Sequence, residues 1–282
     1  MRPSEVLQRA ADYLDRHDVE SPKETAEVLL MHVLQTDRAG LYARERGLDA
    51  REARMFGRAI CQRCTGTPVQ HLTGEQAFRR ITVEVRPGVF VPRPETEILV
   101  EHALATLGTR EDPVVVDAGT GSGAIALAVA DELGETLVTA IDTSFDAVRV
   151  AQANAERLGL TDRVEVVLRG PSSLDGAGAG GPSFDLLVAN LPYVSEDEWD
   201  ELAPEIRDYE PREALLPGPT GLEAIEALTA ELFGLAPRPS VIALEIGAGQ
   251  ADEVTRLIRA AGYEETEVRR DLAGHDRVVI GR

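Results

Sequence analysis

Asn190-Leu191-Pro192-Tyr193 places a side-chain carboxamide, a free backbone carbonyl and an aromatic ring within four residues. Such a set suits a planar NH2 group, because two acceptors take its two hydrogens while a ring covers its face. Pro192 holds Leu191 extended and prevents a helix from starting there, so the tetrapeptide is predicted to be stiff. Residues 184–189 before it are short, apolar and bounded by Gly- and Pro-rich sequence, which predicts a buried strand. In open α/β sheets, ligands bind at that carboxyl edge. A strand, a Pro-containing turn and a Tyr that only packs would give the same four letters, so the context decides.

The context holds a second constellation. Residues 113–117 read as a buried strand, Gly119, Thr120, Gly121, Ser122 and Gly123 as a turn, and 124–133 as a helix. Glycines let a backbone approach a ligand closely, and the helix N-terminus offers unpaired N–H groups. A strand over 137–141 then leads to Asp142, 142 − 119 = 23 residues after the first glycine, a spacing that lets an acid accept both ribose hydroxyl hydrogens. Gly119, Gly121 and Ala124 also satisfy a loose dinucleotide fingerprint, so the signal is a nucleoside without saying which. Helix 144–158, strand 164–168, helix 221–235, strand 240–246 and a helix to about 261 continue the alternation. Strands over 265–269 and 277–280, with no helix between them, predict an antiparallel pair at one edge of a mostly parallel sheet. That ending tilts the nucleoside towards S-adenosylmethionine. Residues 171–183 read as a low-complexity loop and 196–213 as acidic and irregular.

Ahead of these elements, residues 1 to about 75 read as a small helical bundle. Ser4 is expected to cap a first helix, Ser21-Pro22-Lys23-Glu24 to open a second as a capping box, and 50–64 to form another. Ile81, Val83 and Val85, the turn Arg86-Pro87-Gly88 and then Val89-Phe90-Val91 predict a β-hairpin linking two domains. Pro92-Arg93-Pro94-Glu95-Thr96-Glu97 leads into the next helix. Cys61 and Cys64 lie i, i+3 on a helix with no further ligands nearby in sequence, so no metal site is expected. The formal charge of −20 weighs against a nucleic-acid partner, because phosphate binding needs a basic surface. No apolar run reaches membrane-spanning length and the first residues lack signal-peptide character, which makes the cytoplasm the expected location.

The chain resembles the release-factor glutamine methyltransferases, the HemK/PrmC family, over nearly its whole length. The resemblance rests on Pro68 to Gly74, Phe90-Val91-Pro92-Arg93-Pro94-Glu95-Thr96-Glu97, Asp117 to Gly123, Asn190 to Tyr193, Tyr209-Glu210-Pro211-Arg212-Glu213-Ala214-Leu215 and Asp271 to Arg277. It implies an α/β fold: a Rossmann-like, seven-stranded S-adenosylmethionine-dependent methyltransferase domain over 94–282. Ahead of it come an all-α bundle over 1–75 that docks the release factor and a hairpin linker over 76–93. It implies methylation of the side-chain nitrogen of the Gly-Gly-Gln glutamine in class 1 peptide chain release factors, leaving S-adenosylhomocysteine. In that reading Asn190, Leu191, Pro192 and Tyr193 hold the glutamine. Gly119 to Gly123, Asp142 and Asn190 hold the cofactor, and Arg93, Glu95 and Glu97 stand at the pocket mouth or form structural ion pairs. A monomer with no direct nucleic-acid contact and no membrane is expected.

Two departures bear on this. The family usually carries Asn-Pro-Pro-Tyr, and here position 191 is Leu. The group implied there is the backbone carbonyl, which Leu also supplies. Asn-Leu-Pro-Tyr is the form of rRNA adenine dimethyltransferases, which makes RNA adenine methylation the alternative, with a non-catalytic binding module third. The second departure is Arg169-Gly170-Pro171-Ser172, where the family has an acid and then a residue packing on adenine, so no adenine contact is assigned.

Overall fold

The computed structural model describes residues 2–108, 110–170, 174 and 183–282; the loop expected over 171–183 lies almost wholly outside them. Two compact units are present: Met1–Glu75 with Pro204–Tyr209, and Gln76–Ala203 with Glu210–Arg282.

In the first unit α1 (Pro3–Asp15), α2 (Pro22–Leu34), α3 (Arg38–Ala43), α4 (Ala50–Cys64) and α5 (Val69–Thr73) bury Leu14, Leu29, Leu30, Leu41, Phe56 and Ile60 together. α4 has the range its stripe predicts, closed by a capping box: Glu52 N–H donates to Asp49 Oδ1 at 2.9 Å, and Asp49 N–H to Glu52 Oε2 at 2.8 Å. Two expected caps are corrected. α1 begins at Pro3 behind Arg2, because a proline has no N–H to satisfy at a first helical position, and Ser4 falls inside the first turn. Ser21 does precede α2, but in the left-handed region (φ 48°) and without a side-chain cap. α3 and α5 are too short to show a periodic stripe, which is why the sequence does not announce them. Glu205 and Tyr209 join this unit through Arg63, 2.7 Å from Glu205, and the Thr67 hydroxyl, 3.2 Å from the Tyr209 hydroxyl.

The hairpin stands earlier than expected. β1 (Glu75–Phe78) pairs with β2 (Ile81–Glu84) around Arg79-Arg80, and the Glu97 carboxylate accepts Arg79 N–H at 3.0 Å. Val89 and Val91 are buried without strand pairing, Val89 against Ala147 and Val150. Their alternation reflects a packed loop.

The rest of the second unit is α6 (Thr96–Leu107), β3 (Val114–Ala118), α7 (Ala124–Glu132), β4 (Leu137–Asp142), α8 (Phe145–Leu158), β5 (Val164–Leu168) and β6 (Leu186–Ala189). After α9 (Glu196–Trp199), α10 (Pro204–Arg207, which belongs to the first unit) and a 3-10 turn at Arg212–Ala214, where an irregular stretch was expected, come α11 (Glu223–Gly234), β7 (Val241–Glu245), α12 (Ala251–Ala260), β8 (Thr266–Arg270) and β9 (Asp276–Gly281). The seven strands lie in the order β5-β4-β3-β6-β7-β9-β8, with β9 antiparallel to both neighbours as the closing pair predicts. Helices cover both faces, so the central strands are mostly apolar, with Asp117, Thr139 and Glu245 as buried polar exceptions. Leu186 and Val188 face a core with α6 and α7, while Leu187 and Ala189 face α11 and α12.

Candidate active site

The site follows from strand register. Ala118 at the end of β3 is the partner of Ile141 in β4 and Ala189 in β6, and Ala189 is the partner of Leu244 in β7. Asp142, Gly119, Asn190 and Glu245 are each one residue further, so four neighbouring strands deliver them at one level of the carboxyl edge. The chain winds outwards in opposite directions from β3 and β6, and the crevice at such a switch point is where open α/β sheets bind ligands.

A cavity of about 510 Å³ opens there, lined by Gly119, Thr120, Gly121, Ser122, Asp142 and Asn190 to Tyr193. Nine of the ten site residues expected from sequence therefore share one cavity. The tenth, Gly123, stands behind it at the N-cap of α7, where an added Cβ would lie 3.2 Å from Ala151 Cβ, so it serves helix packing. Val89, Phe90, Pro92, Thr96, Leu215 and Ala224 add apolar and hydroxyl lining; the sequence reading gave none of them a place in the site, although all but Ala224 lie in stretches quoted for the hairpin or the resemblance.

Each expected group is tied down. Asp142 accepts Gly121 N–H at 2.9 Å and Ser144 N–H at 2.8 Å, which shapes the glycine turn and leaves its carboxylate lone pairs for further donors. The Asn190 side chain donates through Nδ2 to Thr96 Oγ1 at 3.0 Å. Gln250 accepts Gly247 N–H at 2.9 Å and donates to the Tyr193 carbonyl at 3.0 Å, while Val194 N–H donates to the Leu215 carbonyl at 2.9 Å. The turn after β6 is stiff because it is anchored at both ends.

Three buried groups carry shifted pKa values. Asp117, the last residue but one of β3, is fully buried; desolvation pushes it up to about 7 against the Thr120 hydroxyl and Ala126 N–H, both of which donate to Oδ2. Asp117 Oδ1 is buried with no hydrogen-bond partner among the described residues. Glu245 is likewise pushed up to about 7 by burial, opposed by the Thr96 hydroxyl and Arg277. Burial and the nearby Glu245 raise the Tyr193 hydroxyl, 3.5 Å from Glu245 Oε1. A lone acid closing the apolar run Val-Ile-Ala-Leu was the available signal for Glu245.

Arg93 and Glu97 have structural ties: Arg93 pairs with Glu210 and lies over the Phe90 ring, and Glu97 holds the hairpin turn. No Lys or Arg is among the residues lining the cavity, whereas Asp142, Glu213 and Glu223 are. No group of metal-ligating side chains occurs among the described residues, and no described helix is long and apolar enough to cross a membrane.

Known proteins resemble this chain over nearly its whole length. Residues 5–74 match the model of the PrmC N-terminal domain, and residues 115–209 match a methyltransferase domain. The release factor glutamine methyltransferase of Moorella thermoacetica is 41% identical over 98% of this chain and 96% of its own length. The corresponding protein of Koribacter versatilis is 38% identical over 100% and 99%. Among solved structures, the hMettl16 catalytic domain in complex with MAT2A 3'UTR hairpin 1 has a TM-score of 0.59 at 13% identity, covering 82% of this chain and 79% of that one. A METTL16 methyltransferase domain reaches 0.54 at 15%, covering 93% of each. At that identity the likeness is one of fold.

Proposed function

The chain belongs to the release factor glutamine methyltransferase family, and from that premise we propose that its cavity seats the Gly-Gly-Gln glutamine of class 1 peptide chain release factors beside S-adenosylmethionine. It is an S-adenosylmethionine-dependent methyltransferase acting on a release-factor glutamine. The observation that carries the residue assignment is the register that sets Gly119, Asp142 and Asn190 side by side around one cavity.

The residues present fit the cofactor. A sulfonium and an ammonium bring positive charge, and the cavity offers carboxylates without a lining Lys or Arg. Asp117, fully buried and not among the residues lining the cavity, accepts the Thr120 hydroxyl and so fixes the glycine turn from within. A pyrophosphate would meet the reverse of what it needs. The turn from Gly119 to Ser122 would hold the methionine end, with Gly123 setting the helix behind it, and Asp142 the ribose. When bound, the cofactor supplies a methyl group on positively charged sulfur.

This chain's residues do the rest by alignment. An amide nitrogen is a poor nucleophile because its lone pair is delocalised, so in-line placement carries most of the acceleration. Asn190 Oδ1 and the Leu191 carbonyl accept the two N–H hydrogens and stabilise positive charge growing on nitrogen. As the N–C bond forms, the sulfur–methyl bond would break with its electron pair left on sulfur, and one of those two hydrogens would leave as a proton to solvent. Pro192 keeps the Leu191 carbonyl extended, and the Tyr193 ring packs on the amide plane.

The helical unit over 1–75 carries no nucleophile or cofactor turn, and we assign it to docking the body of the release factor, with the hairpin region 76–93 as linker and 94–282 as the catalytic part. A monomer working in the cytoplasm, with no direct nucleic-acid contact, completes the reading. Labelled-methyl transfer to purified release factor and to ribosomal RNA tests it. Transfer to protein is expected, lowered by about two orders of magnitude or more in Asn190→Ala while cofactor affinity holds. Transfer to RNA alone would favour the Asn-Leu-Pro-Tyr alternative.

A further inference from the structure

The stretch Asp271 to Arg277 takes part in the resemblance, yet none of its residues lines the cavity or joins a core cluster. It forms the tip of the β8–β9 hairpin. Gly274 N–H donates to the Asp271 carbonyl at 3.0 Å and Asp271 N–H to the His275 carbonyl at 2.9 Å. Gly274 takes the left-handed region (φ 88°), which is how a three-residue hairpin loop closes. The Asp271 side chain turns inwards, 9% exposed, where its carboxylate accepts His275 N–H at 2.9 Å and meets Arg277 Nε at 3.0 Å. Below it Arg270 Nε and Asp276 Oδ1, 2.8 Å apart, tie the two strands together. The tip is a stiff knuckle.

What the knuckle holds out is Leu272. Its relative exposure of 108% is the greatest among the described large hydrophobic residues, the next being Phe233 at 71%. Tight turns favour Pro, Asn, Asp, Ser or Gly, and a leucine brings the turn no local hydrogen bond. A lone apolar side chain on an ordinary surface needs no explanation, but this one stands beside the site. Strand register places it there. β9 runs antiparallel to β7 with Val278 opposite Glu245, so the chain before Val278 continues past the carboxyl edge where the cavity opens. Gly274 is 278 − 274 = 4 residues further on, which carries the tip on the order of 10 Å beyond that level. Sideways, β9 is two strands from β6, about 10 Å at ordinary strand spacing. The gap is filled without slack: a Cβ added to Gly247, just after β7, would stand 3.1 Å from Tyr193 Cδ2.

We propose that the β8–β9 tip is a docking element of the second unit, with Leu272 seated in an apolar hollow of the release factor close to its Gly-Gly-Gln loop. A glutamine held in the cavity projects from a folded protein, and the surface around it has to pass over the carboxyl ends of the strands. The tip rises from that same edge. Its leucine has no intramolecular packing to lose, and its turn is already ordered, so covering it costs little conformational entropy. The charges nearby fit a protein surface better than a phosphate backbone. Arg269, Arg270 and Arg277 around the tip are each paired with a carboxylate, and the cavity is lined by Asp142, Glu213 and Glu223 without a Lys or Arg.

The inference rests on the glutamine-methylating reading, and its test keeps the two apart. Leu272 is fully exposed, so Leu272→Asp and Leu272→Ser should keep the parental Tm and S-adenosylmethionine Kd. In the full-length protein, the KM for intact release factor is expected to rise about 10-fold or more in Leu272→Asp and about fivefold in Leu272→Ser. Leu272→Met should stay within about twofold of the parent. The kcat at saturating release factor and the slow methylation of a short Gly-Gly-Gln peptide should hardly change. Calorimetry with release factor and S-adenosylhomocysteine should show the same order in Kd. A parent that binds release factor and transfers no methyl would defeat the glutamine reading and leave the Kd comparison to decide the docking. A parental Kd in Leu272→Asp overturns the proposal, and so does a loss that the peptide shares or a parent that does not bind release factor. A Tm lowered by several degrees in Leu272→Asp would give the leucine to the fold instead. Sedimentation of parent and Leu272→Asp, alone and with ribosomal RNA, tests the other occupants. A parental dimer or RNA complex that the variant loses would assign the tip to that partner and overturn the proposal.

Discussion

The Leu191 side chain lies over Gly119: a Cβ built on the glycine would stand 2.9 Å from Leu191 Cδ2. Gly119 also has a φ of 76°, where a side chain is strained. The first glycine of the turn proposed to hold the cofactor and the residue that departs from the usual tetrapeptide are thus one packing unit, joined because β3 and β6 are neighbours in register.

That contact gives a double-mutant test. Gly119→Ala is expected to lower the unfolding free energy by about 2–4 kcal/mol, part from left-handed strain and part from overpacking against Leu191. In a Leu191→Ala background the overpacking is relieved, and the same change should cost only about 1–2 kcal/mol. Chemical denaturation of the four proteins measures both steps. Equal costs in the two backgrounds would mean that Leu191 does not press on the turn.

Leu191→Pro isolates the side chain from the carbonyl. Leu191 is buried in the core that α11 and α12 build on the sheet, so proline loses packing of about 1–2 kcal/mol. The carbonyl stays, and methyl transfer to release factor should remain within about tenfold with none to RNA. A folded variant with much larger loss would give the leucine side chain a part in catalysis.

Much of this site could be read before any coordinates, because its markers interrupt apolar runs. Asp142, Gly119 and Asn190 each stand where a strand's hydrophobic pattern stops, and the pattern alone placed them at strand ends. Glu245 ends its strand in the same way, yet it looked like the close of a core strand because its partner, Tyr193, is remote in sequence. Arg93 and Glu97 were ambiguous for the same reason. Their ties to Glu210 and to Arg79 are made by tertiary packing, on which local spacing has no hold. The hairpin slipped because Val89 and Val91 are buried like strand residues while pairing with no strand.

Glu245 should make stability fall as pH rises. Its folded pKa, about 7, lies above the ordinary glutamate value of 4.5, so between these limits the folded state binds the extra proton. Stability from this group is therefore full below about pH 4.5 and is lost as pH climbs through about 7, by on the order of 3 kcal/mol. Thr96, Tyr193 and Arg277 work against the shift and Glu95 with it. Comparing Glu245→Gln with the parent by denaturation at pH 5 and pH 8 cancels most other groups. The variant should gain on the parent at pH 8, and a constant difference would mean that Glu245 does not titrate in this range.

Docking and chemistry should come apart when the helical unit is removed. Its core, around Leu14, Leu29, Leu30 and Phe56, is separate from those on either face of the seven-stranded sheet, and the cavity is lined wholly by residues of the second unit. Pro204–Tyr209 belongs to the helical unit, with Glu205 held by Arg63 and Tyr209 by Thr67. A cut at residue 75 alone would strand that segment, so the truncation should also replace 204–209 with a short Gly-Ser link. The remaining protein should fold and bind S-adenosylmethionine with nearly unchanged affinity by calorimetry. A short peptide containing Gly-Gly-Gln gains little from the helical unit, so its slow methylation should hardly change. An intact release factor can use remote contacts to bring its glutamine into line, and its kcat/KM should fall by about two orders of magnitude or more. Equal losses on peptide and protein would mean that the helical unit supports the active site itself, and the docking assignment would fail.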